Sequence, residues 1–420
     1  MKFWGITGTN GKTTCTWIAA EFLNACEGRK CAYITTVEVY DGKDRYYTGY
    51  TTPPLKQLKE IYAKMEANGV TDCVMEVSSH AIHQHRCGDT VFSGGAFTNL
   101  SEDHLDYHKT MAEYFRVKLS FAEEIAAAAA HRPGPSDGRG DFPPYVVCVD
   151  GDNGREMLEA VGKLPLNVIP VSVKSPRFDL SELKLAGEYN KSNVLTAAAL
   201  AEAAGAPHET IQSVIPTLKP RWGRLERVEN ANVAAEVYVD FAHTPDGLLK
   251  VLSAARGMLA LGQQAHDNKI YHSPSQSVNS PLQSVNRLIG QSVNSLWVVF
   301  GAGGDRDPMK RPLMGAAAAK LADRLVVTSD NPRSEDPLKI IEAVVSGIPE
   351  ADRSPEKLRT EPDRRAAIRY ALENAKAGDI VIIAGKGHET TQEIAGVKYP
   401  FDDRDEVRRY ASQYFRVGMS

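Results

Sequence analysis

The sequence predicts an α/β fold with two domains, each built on a mostly parallel sheet that is covered by helices. Short apolar runs alternate with amphipathic helical stretches along most of the chain, a pattern typical of parallel sheets. The length of 420 residues exceeds what one hydrophobic core usually serves. The helical pattern stops at Pro220–Arg224 and a new set of strands follows. We therefore place one domain at residues 1–217 and the other at residues 218–420.

In the first domain, strand candidates are apolar runs and helix candidates carry their apolar residues on one face. The expected strands are Phe3–Thr7, Ala32–Val39, Cys73–Val77, Gly95–Thr98 and Val146–Val149. The expected helices are Lys12–Ala25, Leu55–Ala67 and Leu195–Ala204. Residues 130–144 are mostly turn formers and predict a surface loop.

The second domain repeats the alternation, which predicts a Rossmann-like, doubly wound sheet. The expected strands are Val237–Phe241, Trp297–Phe300, Arg324–Thr328 and Ile380–Ala384. The expected helices are Pro245–Met258, Leu313–Leu321 and Pro362–Lys376. Residues 262–295 interrupt this rhythm with a polar segment in which Gln-Ser-Val-Asn occurs three times. This biased composition predicts a disordered insertion.

Composition excludes several classes of function. The chain has 49 basic and 53 acidic residues, so no excess of positive charge indicates a nucleic-acid partner. The sequence contains no run of about 18 apolar residues, the length that would predict a membrane span. The glycine-rich loop begins too near Met1 for a signal peptide to precede it, and the six scattered cysteines are typical of reduced thiols. We therefore expect a cytoplasmic protein, and a monomer is compatible with the sequence.

A glycine-rich segment lies where a strand passes into a helix, at Gly5–Thr14. Small residues allow backbone N–H groups to approach phosphates, Lys12 adds charge, and the Thr13 hydroxyl can hold Mg²⁺. Ile6 stands where the general phosphate-loop pattern has its first glycine, so only the Gly-Lys-Thr half matches. The alternative is a glycine-rich turn with a chance lysine, but the strand, loop and helix all favour phosphate binding.

Three further polar features follow strands or lie on helices. Glu76 ends a buried strand, where an acid suits Mg²⁺ but is also compatible with a solvated strand end. His80, His83 and His85 lie close together without zinc-site spacing, so we interpret them as structural or as supports for neighbouring site residues. Lys118 lies on an amphipathic helix, and its local sequence alone predicts a surface lysine.

The segment Gly8–Thr14, Gly-Thr-Asn-Gly-Lys-Thr-Thr, resembles the Mur ligases, and the likeness continues in order along almost the whole chain. Further matching segments are Met75–His80, Thr98–His108, Tyr114–Leu119, Gly187–Asn193, Gly223–Glu226, Asp240–Pro245, Asp330–Arg333 and Gly385–Glu389. Phe241 replaces the family's usual tyrosine. The resemblance implies an ATP- and Mg²⁺-dependent ligase, with a P-loop domain followed by a Rossmann-like domain, that joins an amino acid to a peptidoglycan precursor.

The resemblance also implies roles for individual residues. It assigns catalysis to Lys12, Glu76, His104 and Lys118, with Lys118 carbamylated, and metal binding to Thr13, Glu76, His104 and Lys118. It assigns ATP binding to Gly8, Thr9, Asn10, Gly11, Lys12, Thr13, Thr14, Asn190, Asn193, Arg224 and Asp240. Asn190 is equally compatible with a helix N-cap.

The remaining roles concern the two other substrates. The resemblance assigns binding of the nucleotide-linked dipeptide, a UDP-sugar L-Ala-D-Glu, to Thr51, Thr52, Ser78 and Arg86. Asp-Asn-Pro-Arg resembles family members that add meso-diaminopimelate rather than lysine, and an arginine fork suits the distal carboxylate. This pocket comprises Arg306, Asp330, Asn331, Arg333, Gly385 and Glu389. The alternative for Asp-Asn-Pro-Arg is an ordinary turn.

Family members of this type have an additional N-terminal domain of roughly a hundred residues that holds uridine, whereas this sequence starts at the strand before the glycine loop. We expect a piece of a longer protein, a truncated or split gene, or a substrate without a nucleotide. Three other functions stay open. They are a Mur-like ligase acting on another peptide or polymer, a ligase like folylpolyglutamate synthetase, and a degraded paralogue that only binds nucleotide. The last is disfavoured because Lys12, Glu76, His104 and Lys118 are all present.

Overall fold

The structure is a computed structural model that describes residues 1–130, 142–229, 233–271 and 294–417. It divides into two compact units, Met1–Lys219 and Pro220–Ser420. This division falls close to the boundary that the sequence predicts after residue 217.

Within the described residues, the first unit contains an eight-stranded sheet with the order β4-β3-β2-β5-β1-β6-β7-β8. Its strands are β1 (Lys2–Thr7), β2 (Cys31–Ile34), β3 (Val39–Tyr40), β4 (Arg45–Tyr46), β5 (Asp72–Glu76), β6 (Phe92–Phe97), β7 (Pro144–Cys148) and β8 (Asn167–Val171). All neighbours pair in parallel except β2 with β3 and β3 with β4. The mostly parallel sheet that the sequence predicts is confirmed.

Helices cover this sheet, and their buried faces follow the spacing of their apolar residues. In α2, Leu58, Ile61 and Met65 are buried, which is the helical period expected of one face against a core. The helices are α1 (Lys12–Asn24), α2 (Leu55–Ala67), α3 (Ser79–His83), α4 (Leu105–His108), α5 (Met111–Ala130), α6 (Asp152–Val161), α7 (Glu188–Ala203) and α8 (His208–Val214).

The single strand expected at Ala32–Val39 is wrong. The chain turns after β2 and returns as β3, because the Thr35 hydroxyl accepts hydrogen bonds from the N–H groups of Val37 and Glu38 over 3.2 and 3.1 Å. Such local side-chain bonds compete with a continuous strand. The β-branched run therefore supplies two antiparallel strands at the edge of the sheet instead of one.

The second unit contains, within the described residues, a six-stranded sheet with the order β13-β12-β11-β14-β10-β9 and a separate β15–β16 hairpin. Its strands are β9 (Glu226–Arg227), β10 (Glu236–Asp240), β11 (Leu296–Phe300), β12 (Arg324–Thr328), β13 (Leu358–Glu361), β14 (Ile380–Ala384), β15 (Thr391–Ile394) and β16 (Val397–Pro400). In the six-stranded sheet only β9 is antiparallel to its neighbour.

Five helices of the described residues accompany this second sheet. They are α9 (Pro245–Tyr271), α10 (Lys310–Leu321), α11 (Pro337–Ser346), α12 (Arg364–Asn374) and α13 (Asp403–Val417). The Asp336 and Asp363 side chains accept backbone N–H groups at the starts of α11 and α12, as helix-capping residues do.

Two sequence predictions fall partly outside the described residues. Helix α9 continues to Tyr271, so the expected change from helix to insertion at residue 262 is wrong. Residues 272–293 lie outside the described residues, and the expected disorder there stays a prediction. The expected loop at residues 130–144 is likewise described only at its two ends, where α5 and β7 adjoin it.

Two further sequence expectations concern the whole chain. None of the helices in the described ranges combines the length and apolar character that a membrane span requires. All six cysteines are described, and all six are free thiols, as the sequence predicts.

Candidate active site

The loop between β1 and α1 is the first candidate ligand-binding element. Gly8 and Gly11 have φ angles of 149° and 84°, a region that residues with side chains rarely adopt. A Cβ at Gly8 would lie 1.9 Å from the Thr98 hydroxyl oxygen, and one at Gly11 would lie 2.2 Å from Asn193 Oδ1. Glycine therefore allows the loop to lie directly against two polar side chains.

Asn99, just after β6, holds the same loop in shape. Its carbonyl oxygen accepts from the Thr9 N–H over 2.8 Å, and its Oδ1 accepts from the Asn10 N–H over 3.0 Å. Its Nδ2 donates back to the Asn10 carbonyl oxygen over 3.0 Å. The sequence places Asn99 in a polar stretch after a strand but does not reveal this bracing role.

Two lysines converge on one carbonyl oxygen of the loop. The Nζ atoms of Lys12 and Lys118 donate to the Gly8 carbonyl oxygen over 3.0 and 2.8 Å. Lys118 is only 1% exposed, so the alternative of a surface lysine is wrong. Burial lowers the pKa of the Lys118 amine well below its usual value, Lys12 lowers it further, and Asp103 opposes the shift. The Lys118 amine is therefore neutral more readily than an ordinary lysine, and the neutral amine is the nucleophilic form.

Glu76 lies at the end of β5, beside β1 in the sheet, and is 1% exposed. The alternative of a solvated strand-end glutamate is therefore wrong. Its carboxylate accepts from the Thr36 N–H over 2.8 Å and from the Thr36 hydroxyl over 3.2 Å. Thr36 is a site residue that the sequence analysis missed. A buried acid held at the edge near the glycine loop is suited to a cation.

The residues expected to hold the dipeptide substrate lie around Glu76. The Thr52 hydroxyl donates to the Glu76 carbonyl oxygen over 2.8 Å and accepts from the Ser78 N–H over 3.1 Å. Arg86 Nη1 donates to the Thr52 carbonyl oxygen over 3.1 Å. The Thr51 hydroxyl lies 3.0 Å from that of Thr36. The structure thus brings Thr51, Thr52, Ser78 and Arg86 together.

His104 lies at the start of α4 with a φ of 57°. Its ring is 42% exposed and lies 3.4 Å from the Asp103 carboxylate. Partial burial lowers the pKa of His104 to about 3, although Asp103 opposes the shift. The His80 ring packs edge-on against the His104 ring, with centroids 4.9 Å apart. The lowered pKa of His104 favours the neutral imidazole, the form that can bind a metal ion.

The donor chemistry permits a test of the expected Mg²⁺ ligands Thr13, Glu76, His104 and Lys118. In the described part of the chain, no group of three or more His, Cys, Asp or Glu side chains could hold a metal ion. The expected set contains one carboxylate, and Mg²⁺ prefers oxygen donors. Carbamylation of Lys118 would add a second anionic oxygen group, so the set fits Mg²⁺ better with a modified lysine.

Asn190 and Asn193 lie in the first turns of α7 and are almost fully buried. Asn193 Nδ2 donates to Asn190 Oδ1 over 3.2 Å, and Asn190 Nδ2 donates to the Ala186 carbonyl oxygen over 2.7 Å. The alternative of an N-cap role for Asn190 is wrong, because Gly187 occupies the cap position. Contact between these asparagines and adenine stays a prediction.

In the second unit, Asp240 ends β10 and organises the segment around Arg224. Its two carboxylate oxygens accept from the N–H groups of Leu225 and Ala242 over 2.6 and 2.8 Å. Burial raises the pKa of Asp240, and Arg224 opposes that shift. The Arg224 guanidinium carbon lies 4.7 Å from the centroid of the Phe241 ring. Arg224 and Asp240 therefore share one local cluster.

The segments after β12 and β14 meet in the second unit. Asn331 Nδ2 donates to Glu389 Oε2 over 2.8 Å. A Cβ at Gly385, whose φ is 114°, would lie 2.3 Å from Asp330 Oδ2. Lys386, which the sequence analysis did not single out, is fully buried and donates to both Asn331 Oδ1 and Glu389 Oε2. The structure thus joins Asp330, Asn331, Gly385 and Glu389.

Arg333 and Arg306 flank one glycine beside this cluster. A Cβ at Gly303 would lie 3.0 Å from Arg333 Nη1 and 3.7 Å from Arg306 Cγ. Arg333 donates to the Gly304 carbonyl oxygen and lies 3.8 Å from the Glu393 carboxylate. The Arg333 guanidinium at this glycine turn, with the Arg306 Cγ beside the same glycine, provides a positively charged place for a carboxylate.

A buried ion pair lies beneath the same segments. Arg364 and Asp403 have fully buried side chains and make two hydrogen bonds of 2.8 Å. Arg364 also donates to the carbonyl oxygens of Ser329 and Ala384 over 3.4 and 3.0 Å. These carbonyls immediately precede Asp330 and Gly385, so this arginine ties the ends of β12 and β14 together.

Comparisons with known proteins identify a family for each of the two units. The Mur ligase middle domain matches residues 6–132, and the Mur ligase, glutamate ligase domain matches residues 272–387. The chain is 37% identical to the UDP-N-acetylmuramoyl-L-alanyl-D-glutamate–2,6-diaminopimelate ligase of Synechococcus elongatus over 97% of this chain and 76% of the relative. The enzyme of the same name from Caulobacter vibrioides is 36% identical over 96% of this chain and 80% of the relative.

Solved structures give the same result. A UDP-N-acetylmuramoyl-L-alanyl-D-glutamate–2,6-diaminopimelate ligase superposes with a TM-score of 0.57 and 30% identity, covering 99% of this chain and 79% of that one. Folylpolyglutamate synthase of Mycobacterium tuberculosis superposes with a TM-score of 0.56 over 99% of this chain and 90% of that one. At 17% identity, the second likeness shows the fold alone.

Proposed function

Because this chain belongs to the Mur ligase family of ATP-dependent, amide-bond-forming enzymes, we propose that it adds meso-diaminopimelate to UDP-N-acetylmuramoyl-L-Ala-D-Glu in peptidoglycan precursor synthesis. The relatives that carry this name match nearly the whole chain. The single structural observation that carries the proposal is the convergence of Lys12 and the buried Lys118 on the glycine loop. The alternative, a ligase like folylpolyglutamate synthase, is supported only by a likeness of fold.

The proposed reaction has two chemical steps. The γ-phosphoryl group of ATP passes to the γ-carboxylate of D-glutamate, which gives ADP and an acyl phosphate. The amine nitrogen then attacks the acyl carbon, the carbon–oxygen bond to phosphate breaks, and the nitrogen loses a proton as the amide forms. The protein must offset charge on the transferring phosphoryl group and align the reactants. Lys12 and the loop N–H groups at the start of α1 supply positive charge there.

We assign Mg²⁺ binding to Thr13, Glu76, His104 and a carbamylated Lys118, where the ion would supply positive charge at the phosphate oxygens. The buried amine of Lys118 supports its modification, because a neutral amine combines with carbon dioxide to form a carbamate. His104 supports the assignment as a neutral imidazole, and Glu76 as a buried carboxylate.

The second unit carries the proposed amino-acid pocket. Arg333, with Arg306 beside it, would bind the distal carboxylate of diaminopimelate, since guanidinium and carboxylate match in shape and charge. Glu389 would receive the distal ammonium group, with Asp330, Asn331 and Gly385 around it. Arg224 and Asp240 stay proposed nucleotide contacts. We place the protein in the cytoplasm, where both ATP and the nucleotide-linked precursor are expected, and a monomer stays a prediction.

The test is phosphate release by the purified chain with Mg-ATP and UDP-N-acetylmuramoyl-L-Ala-D-Glu. Parallel reactions contain meso-diaminopimelate, lysine or no amine, and mass spectrometry identifies the products. We expect release with diaminopimelate and a product that is heavier by one diaminopimelate residue. Release with lysine alone would overturn the substrate assignment. Absence of release with every amine, while ATP still binds, would overturn the proposed reaction.

A further inference from the structure

Lys386 is a buried lysine to which the proposed mechanism gives no role. Its side chain is fully buried, whereas that of its partner Glu389 is 33% exposed. Lys386 Nζ lies 2.8 Å from Glu389 Oε2 and 3.0 Å from Asn331 Oδ1. Burying a lysine is costly unless its charge is paired and hydrogen-bonded. Both of these partners belong to the proposed amino-acid pocket.

These contacts fix which way the Asn331 amide faces. Its Oδ1 accepts two hydrogen bonds, one from Lys386 Nζ and one from the Glu393 N–H over 3.0 Å. Its Nδ2 donates to Glu389 Oε2 over 2.8 Å. A flipped amide would place its NH₂ group against two donors, so the observed orientation is strongly preferred.

The same contacts hold one oxygen of Glu389. Its Oε2 accepts from both Lys386 and Asn331, which anchors the carboxylate while the side chain keeps its partial exposure. A carboxylate anchored through one oxygen presents the other in a fixed direction. This is the arrangement required to receive an ammonium group whose position must be defined.

We propose that Lys386 is a positioning residue that orients Asn331 and Glu389 toward the distal amino-acid group of the amine substrate. This inference rests on the proposed function, because it concerns the same pocket. Lys386 acts through its two partners, since its own amine has no exposed surface. Its loss should therefore weaken selection of the amine and leave the use of ATP unaffected.

The experiment compares the steady-state kinetics of the wild-type chain and Lys386→Met, varying diaminopimelate, ATP and the dipeptide substrate in turn. We expect the KM for diaminopimelate to rise about 10- to 100-fold, as for a lost hydrogen bond to a charged group. We expect the KM for ATP to stay within about twofold, since both hydrogen-bond partners of Lys386 belong to the proposed amino-acid pocket. Lys320→Met, the same change at an exposed lysine of α10, is the matched control and should match the wild type.

A double-mutant cycle separates positioning from general damage. In a Glu389→Gln background the carboxylate that Lys386 holds is gone, so Lys386→Met should raise the KM for diaminopimelate much less than it does alone. Lys386→Gln keeps a donor for Asn331 without the charge and should give an intermediate KM. It also carries the test should Lys386→Met fail to fold.

Three outcomes decide the matter. Unchanged KM for diaminopimelate in an otherwise active Lys386→Met overturns this inference and leaves the proposed function standing. The inference is also overturned if Lys386→Met changes the KM for diaminopimelate and the KM for ATP equally and if its effect adds to that of Glu389→Gln. Such a result indicates a residue with only a structural role. A wild-type chain that turns over with no amine overturns the proposed function, and the inference with it.

Discussion

Two buried lysines, one in each unit, have opposite surroundings. Lys118 donates to a carbonyl oxygen that also accepts from the cationic Lys12. Lys386 instead donates to the carboxylate of Glu389 and to an amide oxygen. Both side chains are almost completely withdrawn from solvent, so burial alone does not determine what such a residue does.

The difference teaches that the partner decides between reactivity and support. Beside another cation and without a contacting carboxylate in the described hydrogen bonds, the Lys118 amine is pushed toward its neutral, nucleophilic form. Lys386, with a carboxylate at 2.8 Å, instead holds its neighbours through hydrogen bonds. We therefore propose a chemical role for the lysine of the first unit and a positioning role for the lysine of the second.

The largest expected effect is on the reactive lysine. Lys118→Ala should reduce turnover by at least about 1000-fold, because it removes the proposed carbamate ligand at the phosphoryl-transfer site. Phosphate release under saturating substrates measures this loss. Lys59→Ala, at an exposed lysine of α2, is the control and should be fully active. Full activity of Lys118→Ala would disprove the carbamate role.

The pairing in the second unit extends to Arg364 and Asp403. Arg364→Met should destabilise the chain by about 3–5 kcal/mol, since it leaves the buried Asp403 without its partner. Chemical denaturation, followed by a signal from the second unit, measures this change. Arg408→Met, at an exposed position of α13, should alter stability little. A loss below about 1 kcal/mol in Arg364→Met would show that the pair does not hold these segments.

A change at Arg333, in the positively charged place of the second unit, should affect amine binding selectively. Arg333→Ala should raise the KM for diaminopimelate about 10- to 100-fold, as expected for a lost charged hydrogen bond, with the KM for ATP unchanged. Kinetics with each substrate varied in turn measure the difference. An equal loss for ATP and diaminopimelate would contradict a specific role of Arg333 in amine binding.

The smallest effect sharpens the comparison directly. In metal-free, bicarbonate-free buffer, Lys118→Met should be at least as stable as the wild type, because an apolar side chain of similar length avoids the cost of burying an amine. Lys386→Met should lose about 1–3 kcal/mol, because it removes hydrogen bonds to a charged group. Thermal unfolding of both variants, side by side, tests this. The reverse order of stability would break the comparison.

The sequence predicts best what local patterns determine. The glycine loop, with a strand before it and a helix after it, is predicted by one short segment. In that segment the positions of the glycines and the start of the helix both indicate the same loop. The sheets follow from the alternation of apolar strands and amphipathic helices. The strand expected at Ala32–Val39 fails because one threonine hydroxyl bonds to its own turn, a choice that apolar periodicity does not reveal.

What the sequence does not predict depends on contacts between distant residues. Thr36 holds Glu76 from 40 positions away, and Arg364 pairs with Asp403 across 39 positions. The burial of Lys118 arises from its contact with a loop 110 positions earlier, whereas its own helix predicts an exposed side chain. Lys386 lies within a segment that the family resemblance marks, but only the structure reveals its partners.

The comparison between the two lysines is tested most directly by carbon-13 NMR after exposure to labelled bicarbonate and Mg²⁺. We expect one carbamate signal in the wild-type chain, its persistence in Lys386→Met, and its absence in Lys118→Met. This result would show that carbon dioxide reacts at the lysine beside a cation and not at the lysine beside a carboxylate. A wild-type chain without the signal, or a signal that survives in Lys118→Met, would contradict the account.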